Sequence, residues 1–148
     1  MNYSYDEKLQ ELEGYLKANL NNSITEINTK KTDLILDTVD SNNYFYNLTE
    51  AVNQKTFVFL EIERVESRSA SHKTGDIIYI NIFIGFTGKG RKSKDNTFIA
   101  YRYESAIREA ISRSRDPRWQ YEGGEVGSVT IDNRALYGAM CSYSVSIL

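Results

Sequence analysis

The sequence predicts an α+β fold, with an antiparallel or mixed sheet of about four to five strands and two helices packed on it. Three observations support this class: a helical spacing of N-terminal leucines, a strict alternation of apolar residues over 76–86, and the order helix, strand, strand, helix, strand, strand. At 148 residues the chain is the size of a single domain, and no linker divides residues 1–148.

The first helix is predicted over residues 5–21, where apolar side chains recur every three or four positions with charges between them. This stripe consists of Tyr5, Leu9, Leu12, Leu16 and Leu20. Asn21-Asn22-Ser23 is typical of a helix end. Residues 23–53 are then predicted to be a long polar excursion with one short strand, and irregular segments of this length are often functional.

The strand signal is strongest in the middle of the chain. One strand begins at Phe57, a polar turn or loop is predicted over 67–75, and a second strand follows over 76–86. Alternate residues of the second strand are predicted to be core: Ile78, Ile80, Ile82, Ile84 and Phe86. The opposite face is too apolar for open water, so we expect a helix or a neighbouring copy to cover Ile77, Tyr79 and Phe83, which are candidate subunit-interface residues.

The C-terminal half begins with a second helix, predicted over residues 95–113 and ended by Asp116-Pro117. Gly123-Gly124 predicts a turn, and two strands follow over 126–132 and 137–148. The last strand alternates apolar and serine-rich positions, so Cys141 is predicted to point into the core.

Charge is distributed unevenly along the chain, although the net charge is only −2. Residues 1–66 hold 12 acidic and 6 basic side chains, whereas residues 88–118 hold 9 basic and 4 acidic ones. The asymmetry is compatible with two surfaces that attract different partners, or with a basic surface of one copy that binds the acidic surface of another. A solvated basic helix and loop without a partner is equally compatible.

Three glycines and four basic residues occur in the stretch 85–96, GFTGKGRKSKDN. A phosphate-binding Walker A loop requires G-x-x-x-x-G-K-[ST], and here Arg91 displaces the Lys–Ser pair by one position. The stretch is therefore predicted to be a solvated connection between a strand and a helix. Its cations are candidate contacts to a partner protein or to nucleic-acid phosphates: Lys89, Arg91, Lys92 and Lys94.

Residues suited to catalysis are scarce. Cys141 is the only cysteine and His72 the only histidine, which excludes an internal disulfide and a multi-cysteine metal site. No nucleophile-elbow motif is present. We therefore expect a protein that is not an enzyme and holds no cofactor or metal ion. The sequence also lacks an apolar signal core and any apolar run of membrane-spanning length, so we expect neither export nor membrane insertion.

Aromatic residues cluster in segments predicted to be irregular. The chain has 11 Tyr, 6 Phe and 1 Trp. Amphipathic aromatic side chains favour protein interfaces, where the ring packs and its polar group stays hydrated. Five of them are candidate subunit-interface residues: Tyr44, Phe45, Tyr46, Trp119 and Tyr121.

From Leu9 onward the chain presents a leucine-striped helix, the paired strands FVFLEIE and IIYINIFIGFTG, the helix AYRYESAIREAI and the closing strands GSVTIDNRALYGAMCSYSVSIL. This order is similar to that of the tail terminator proteins of tailed bacteriophages. It also resembles the collar proteins of headless contractile particles such as R-type bacteriocins, and the head–tail joining or connector proteins of phages.

The resemblance implies a ring, commonly of six copies, that caps the tail tube, stops its polymerisation and provides the docking face for the head connector. It implies a virion or tail-like particle made in a bacterial cytoplasm, with other copies of the chain, tail tube protein, sheath and head connector protein as partners. DNA would pass through the lumen without sequence-specific binding, and the four cations of the basic stretch would line that lumen or meet the tube. The residues alone leave an alternative, a small sequence-nonspecific nucleic-acid-binding module that uses the basic loop 88–94 and the arginine-rich segment 108–118.

Overall fold

The computed structural model describes residues 4–51, 54–70, 73–131 and 133–147. Helices and strands in these residues form one α+β unit, which confirms the predicted fold class. The helices are α1 (Ser4–Lys30), α2 (Leu48–Ala51) and α3 (Ser93–Ser112). The strands are β1 (Tyr44–Phe45), β2 (Thr56–Ala70), β3 (Lys73–Thr87), β4 (Gln120–Ile131) and β5 (Arg134–Ile147).

The strands form one mixed sheet in the order β1-β2-β3-β5-β4. β1 is parallel to β2, and every other neighbouring pair is antiparallel. β4 therefore lies at one edge of the sheet, and the short β1 protects only part of the other edge. The β2–β3 hairpin is paired as far as Ala70 and Lys73, whereas β5 accompanies β3 only to Asp76. The hairpin end therefore extends beyond the rest of the sheet.

Helices α1 and α3 pack on one face of the sheet, which we call the inner face. The residues of β3 predicted to be core, from Ile78 to Phe86 in alternation, are at most 2% exposed and point to this face. The leucine stripe of α1 is buried with them, as are Ile99, Tyr103 and Ile107 of α3. Full burial of one such aliphatic side chain stabilises the fold by about 1.5–3 kcal/mol, so this layer is the main source of stability.

Helix α1 continues to Lys30, so the prediction that Asn21-Asn22-Ser23 ends it is wrong. The buried stripe continues through Leu20 and Ile24, both fully buried, and this packing outweighs the low helix propensity of asparagine and serine. The prediction of an irregular excursion over 23–53 is accordingly too long at its start. A short strand is present within it as β1, but at Tyr44–Phe45, and the apolar run Leu34-Ile35-Leu36 that suggested a strand does not form one.

Two asparagines of α1 fasten the segment that follows the helix. The Asn21 side chain bonds both the backbone N–H (2.8 Å) and the carbonyl (2.9 Å) of Val39. Asn28 makes the same paired contact with Leu36, at 2.8 and 2.9 Å. These bonds replace the missing sheet partners of the segment, and they let Leu36 and Val39 bury their side chains in the core.

The predicted turn over 67–75 is too long, with its residues 71 and 72 outside the described part of the chain, and the predicted turn at Gly123-Gly124 is wrong. Most of the polar stretch 67–75 lies in paired β2 and β3, whose projecting end has little apolar alternation to reveal a strand. Gly123 and Gly124 lie inside β4, next to a β-bulge. Gly123 has φ +143°, a conformation that favours glycine, and a Cβ at Gly124 would come 2.6 Å from the Glu104 carboxylate of α3.

Candidate assembly site

The second face of the sheet, which we call the open face, has almost no helix cover. In the described part of the chain, Ala51 of α2 packs against Phe57 and Leu136 at one end of this face. Three half-buried rings surround that contact: Phe45, Phe59 and Phe83. Among the described residues, the predicted cover by a helix is thus limited to one end, and the three rings there stay half-buried in a single copy.

Three glycines lie side by side across the aromatic end of the open face. Gly85 of β3 pairs with Gly138 of β5, which in turn pairs with Gly127 of β4. The Phe57 ring occupies the space over Gly85, and the Phe83 ring occupies the space over Gly138. Apart from its neighbours Val126 and Ser128, no described residue has an atom within 4 Å of the position that a Cβ at Gly127 would take.

The unfilled place over the third glycine is a small groove of about 180 Å³. Its apolar walls include Phe83, Val129, Leu136 and Met140, and Glu125 stands at its side. We call it the Gly127 groove. Val129 is 48% exposed, so the groove is open at the β4 edge of the sheet.

The other half of the open face is polar. Ser142 donates a hydrogen bond to Asn81 Oδ1 at 2.6 Å, and Asn81 donates to Glu61 at 3.4 Å. Ser144 donates to Glu122 at 2.6 Å. The serine-rich side of β5 that the sequence predicts is therefore a hydrogen-bonded surface rather than an apolar one.

The interface candidates of β3 all lie on the open face, but their surroundings differ. Ile77, Tyr79 and Phe83 are half-buried. The guanidinium of Arg64 lies 4.0 Å from the centre of the Tyr79 ring, and the Tyr79 hydroxyl donates to Glu66. Tyr79 therefore has partners within the chain, whereas Ile77 and Phe83 offer apolar surface.

The aromatic segment 44–46 divides between the two faces of the sheet. Phe45 pairs with Phe59 and joins the aromatic end of the open face. Tyr44 packs against the main core, where burial raises the pKa of its hydroxyl, and Lys17 lies 5.3 Å from the centre of its ring. Tyr46 is 46% exposed, which makes it the most accessible of the three.

Trp119 and Tyr121 lie near the start of β4. Trp119 is only 6% exposed, and its indole N–H donates to Glu11 at 3.3 Å, so the ring is a core residue of this chain. Tyr121 is 42% exposed, its hydroxyl donates to Glu104 at 2.8 Å, and the guanidinium of Arg108 lies 4.7 Å from the centre of its ring. Of the two, Tyr121 keeps a surface that a neighbour could contact.

The basic loop brings its four cations to one end of the sheet, yet two of them are bound within the chain. Lys89 forms an ion pair with Asp37. Arg91 donates to the side chain of Asn96 at 2.8 Å and to the carbonyl of Thr87 at 3.1 Å. The other two, Lys92 and Lys94, are exposed.

We expect Arg91 to be structural and Lys92 to be dispensable for folding. Asn96 is fully buried, and Arg91→Ala removes the donor that satisfies its side-chain oxygen. The free energy of unfolding should fall by about 1–3 kcal/mol, the usual cost of an unsatisfied buried acceptor. Lys92→Ala should change it by less than about 0.5 kcal/mol. Urea denaturation compares the two, and equal stabilities would show that the Arg91 contact contributes nothing.

The acidic N-terminal region and the basic segment 88–118 pair with each other inside one chain. Ion pairs connect α1 and the segment after it to α3, the basic loop and the segment after α3. The pairs are Glu11–Arg118, Glu26–Arg113, Asp33–Arg102 and Asp37–Lys89. The charge asymmetry is thus accounted for within the chain, and an attraction between copies is not needed to explain it. Because exposed ion pairs contribute only about 0–1 kcal/mol each, these four pairs add little to the stability of the fold.

The Asp116 carboxylate accepts hydrogen bonds from two side chains. Arg118 donates to its carboxylate at 2.9 Å, and Tyr15 of α1 donates at 2.7 Å. The Arg118 guanidinium, assisted by the Tyr15 hydroxyl, holds the pKa of Asp116 well below its usual range. The hydrogen bond to Asp116 raises the pKa of Tyr15 to about 12.

The Asp116 group predicts a loss of stability in acid. A carboxyl whose pKa is lowered by folding contributes stability that is present above its ordinary pKa of about 3.9 and is lost as the pH falls through the lower folded value. We expect the free energy of unfolding to decrease below about pH 4, and to decrease less in Asp116→Asn. Urea denaturation against pH measures this, with Glu50→Gln, at an exposed position, as the control. Identical pH profiles for wild type and Asp116→Asn would contradict the assignment.

Of the two residues considered for catalysis, Cys141 and His72, the structure describes only the first. Cys141 is fully buried, and burial, with Glu104 nearby, raises the pKa of its thiol. The thiolate that a nucleophile requires is therefore disfavoured. His72 lies outside the described residues. Within the described ranges, no group of three or more His, Cys, Asp or Glu side chains could hold a metal ion, and no helix there is both long and apolar enough to cross a membrane.

Neither a protein-family model nor a curated protein sequence gives a significant match to the chain.

The sequence did not predict the three-glycine row, although its signal is present. A glycine inside an apolar strand indicates that another group approaches the backbone closely, and Gly85 and Gly138 both occur in such strands. What the sequence lacks is the pairing of β3 with β5 and of β5 with β4. Only that pairing places the glycines beside one another and under the rings of Phe57 and Phe83.

Proposed function

We propose that the chain is a structural subunit of a bacteriophage tail or tail-like particle, a tail terminator that forms a ring at the end of the tail tube. The observation that carries the proposal is the open face of the sheet. Among the described residues, Ala51 of α2 is the helix residue that packs on its aromatic end, where Phe45, Phe59 and Phe83 stay half-buried, while α1 and α3 pack on the inner face.

A neighbouring copy is the partner that best accounts for this surface. Apolar area removed from water contributes about 25 cal/mol per Å², so contact with another copy at Phe59 and Phe83 favours association. A head-to-tail contact between two different surfaces of identical copies closes into a ring when its rotation matches the symmetry. Tyr46 and Tyr121 are exposed aromatic residues that such a contact could also use.

The shape of the sheet supports a subunit that contacts a different partner at each end. The β2–β3 hairpin projects at one end of β3, and the basic loop lies at the other end. In a ring that sits on a tail tube, one end would meet the tube and the other would meet the head connector. Lys92 and Lys94, the exposed cations of the loop, are suited to an acidic partner surface.

The alternative of a sequence-nonspecific nucleic-acid-binding module has less support. Nucleic-acid affinity of this kind requires cations that are free to neutralise phosphates. Four of the basic residues in the segment 88–118 are paired with carboxylates of the acidic N-terminal region: Lys89, Arg102, Arg113 and Arg118. The function of a head–tail joining protein uses the same ring surface and remains a variant of the main proposal.

Native mass spectrometry and electron microscopy of the chain, alone and with a tail tube protein, test the proposal. We expect a ring that binds the end of the tube. Phe59→Ser should abolish assembly, whereas Val65→Ser, which removes a 39% exposed apolar side chain from the same strand, should leave it intact. Thermal melts of both variants establish that the subunit is folded.

Two results would contradict the proposal. One is a chain that stays monomeric at all concentrations and does not bind the tube protein. The other is a monomer that binds arbitrary duplex DNA with an affinity that falls steeply with salt, which would favour the nucleic-acid-binding alternative.

A further inference from the structure

The outer edge of β4 has the properties of a strand-accepting surface. β4 is the last strand of the sheet, and among the described residues only β5 pairs with it. Its outer backbone N–H and C=O groups are therefore available to an additional strand. Peptides that add to a sheet edge bind mainly through such backbone hydrogen bonds, and side-chain pockets supply the specificity.

The opposite edge of the sheet has features that discourage strand addition, and β4 has fewer of them. β2 contains a bulge between Ile62 and Arg64, and it carries alternating charges such as Glu61, Glu63 and Glu66. Bulges and charges are the usual means of protecting an edge strand. In β4 the bulge precedes Gly123, and residues 123–131, GGEVGSVTI, contain one charged residue, no lysine and no proline.

The Gly127 groove specifies the side chain that the added strand would insert. Two aromatic rings of this sheet already cover a glycine of the neighbouring strand: Phe57 of β2 covers Gly85 of β3, and Phe83 of β3 covers Gly138 of β5. A strand paired with the outer edge of β4 could place a ring over Gly127 in the same way. The groove volume of about 180 Å³ suits one ring, since a cavity of about 150 Å³ holds benzene.

The charge of β4 specifies the residues beside that ring. Glu122 and Glu125 are exposed on this strand, and Glu125 borders the groove. Residues two positions apart in a strand share a face, so a residue two positions from the inserted ring would stand near Glu125. A lysine or arginine there is favoured. A second copy of β4 is disfavoured because it would bring like charges together.

We propose that β4 binds an extended, basic segment of another protein, which adds as a sixth strand and inserts one aromatic side chain over Gly127, with a lysine or arginine two positions away near Glu125. This site goes beyond the proposed ring. The two proposals fail separately, because ring assembly is tested by Phe59→Ser and strand addition by a change at Gly127.

Fluorescence anisotropy of a labelled synthetic peptide of about nine residues tests the proposal. The peptide has a central phenylalanine, lysine two positions to each side, and threonine or valine elsewhere. Gly127→Val should weaken binding at least tenfold, because its side chain would occupy the groove, and a Cβ at this position has free space around it. The matched control is Thr130→Ile, which adds bulk at an exposed position on the other side of the same strand, outside the groove, and should bind the peptide like wild type.

Changes in the peptide provide a second test. Alanine in place of the central phenylalanine, or glutamate in place of lysine, should each weaken binding at least tenfold, and amide exchange of residues 123–131 should slow when the original peptide binds. Absence of binding, or equal binding by wild type and Gly127→Val, would overturn the proposal. Self-association that Gly127→Val abolishes would also overturn it, because the edge would then belong to a second copy of the chain.

Discussion

Ile82→Asp is expected to abolish the folded state at neutral pH. Ile82 lies at the centre of β3, is fully buried, and pairs with Leu60 of β2 on one side and Cys141 of β5 on the other. The substitution removes a packed aliphatic side chain, at a cost of about 2–5 kcal/mol, and places a carboxylate where no partner exists, at several kcal/mol more. Together these costs match the whole stability of a typical domain, about 5–15 kcal/mol. Far-ultraviolet circular dichroism and the dispersion of amide resonances measure the loss.

Ile77→Asp is the matched control for this prediction. Ile77 lies in the same strand, but it is half-buried on the open face, where a carboxylate keeps contact with water. We expect this variant to fold and to lose stability only modestly. A folded Ile82→Asp, or an Ile77→Asp that unfolds like it, would show that the inner and open faces of β3 are assigned the wrong way round.

The residues that determine this result are also those that the sequence predicts best. Five apolar residues at every second position are typical of one buried face of a strand, so the inner face of β3 follows from the sequence alone. The fold class follows as well, because two amphipathic helices and four strands in this order require a sheet with a helical layer. Helix α3 is predicted within two residues at each end for the same reason: its stripe is clear and Asp116-Pro117 follows it.

The secondary-structure predictions fail where a polar residue has a partner distant in sequence. Asn21 and Asn28 are expected to disfavour a helix, but in the structure their side chains bind the backbone of residues 39 and 36. The end of the β2–β3 hairpin, residues 67–76, has no run of alternating apolar side chains, so its strands resemble a loop in the sequence. Local propensity cannot account for such contacts, since tertiary packing decides them.

The candidate assembly site was predictable only in part from the sequence. An apolar second face on β3 is visible in the sequence, and the structure places Ile77 and Phe83 there, half-buried and on the face opposite α1 and α3. Charge composition was less informative. Opposite charges far apart in the sequence form ion pairs such as Glu26–Arg113 within one chain, so an uneven distribution along the sequence is not an uneven distribution on the surface.

Gly138→Ala is expected to destabilise the protein, whereas Gly127→Ala is expected to stabilise it slightly. A Cβ at Gly138 would overlap the Phe83 ring and come 2.9 Å from the carbonyl oxygen of Ile84. The ring can rotate away, but the backbone of β3 cannot move without breaking its ladder. Overpacking of this kind costs about 1–3 kcal/mol. At Gly127 the space is open, and alanine restricts the unfolded chain, which favours folding by about 0.5–1 kcal/mol.

Because the expected changes in the free energy of unfolding have opposite signs, this pair of variants tests the environment of the three-glycine row. Both substitutions add one methyl group, both lie in paired strands, and Gly138 and Gly127 face each other in the ladder, so a general effect of alanine in a strand would shift both in the same direction. Urea denaturation measures the difference, and equal slopes against denaturant would confirm that the unfolded states are comparable. Similar free energies of unfolding for the two variants would mean that Phe83 does not lie over Gly138. The Gly127 groove, whose wall is the same ring, would then lack the shape on which strand addition depends.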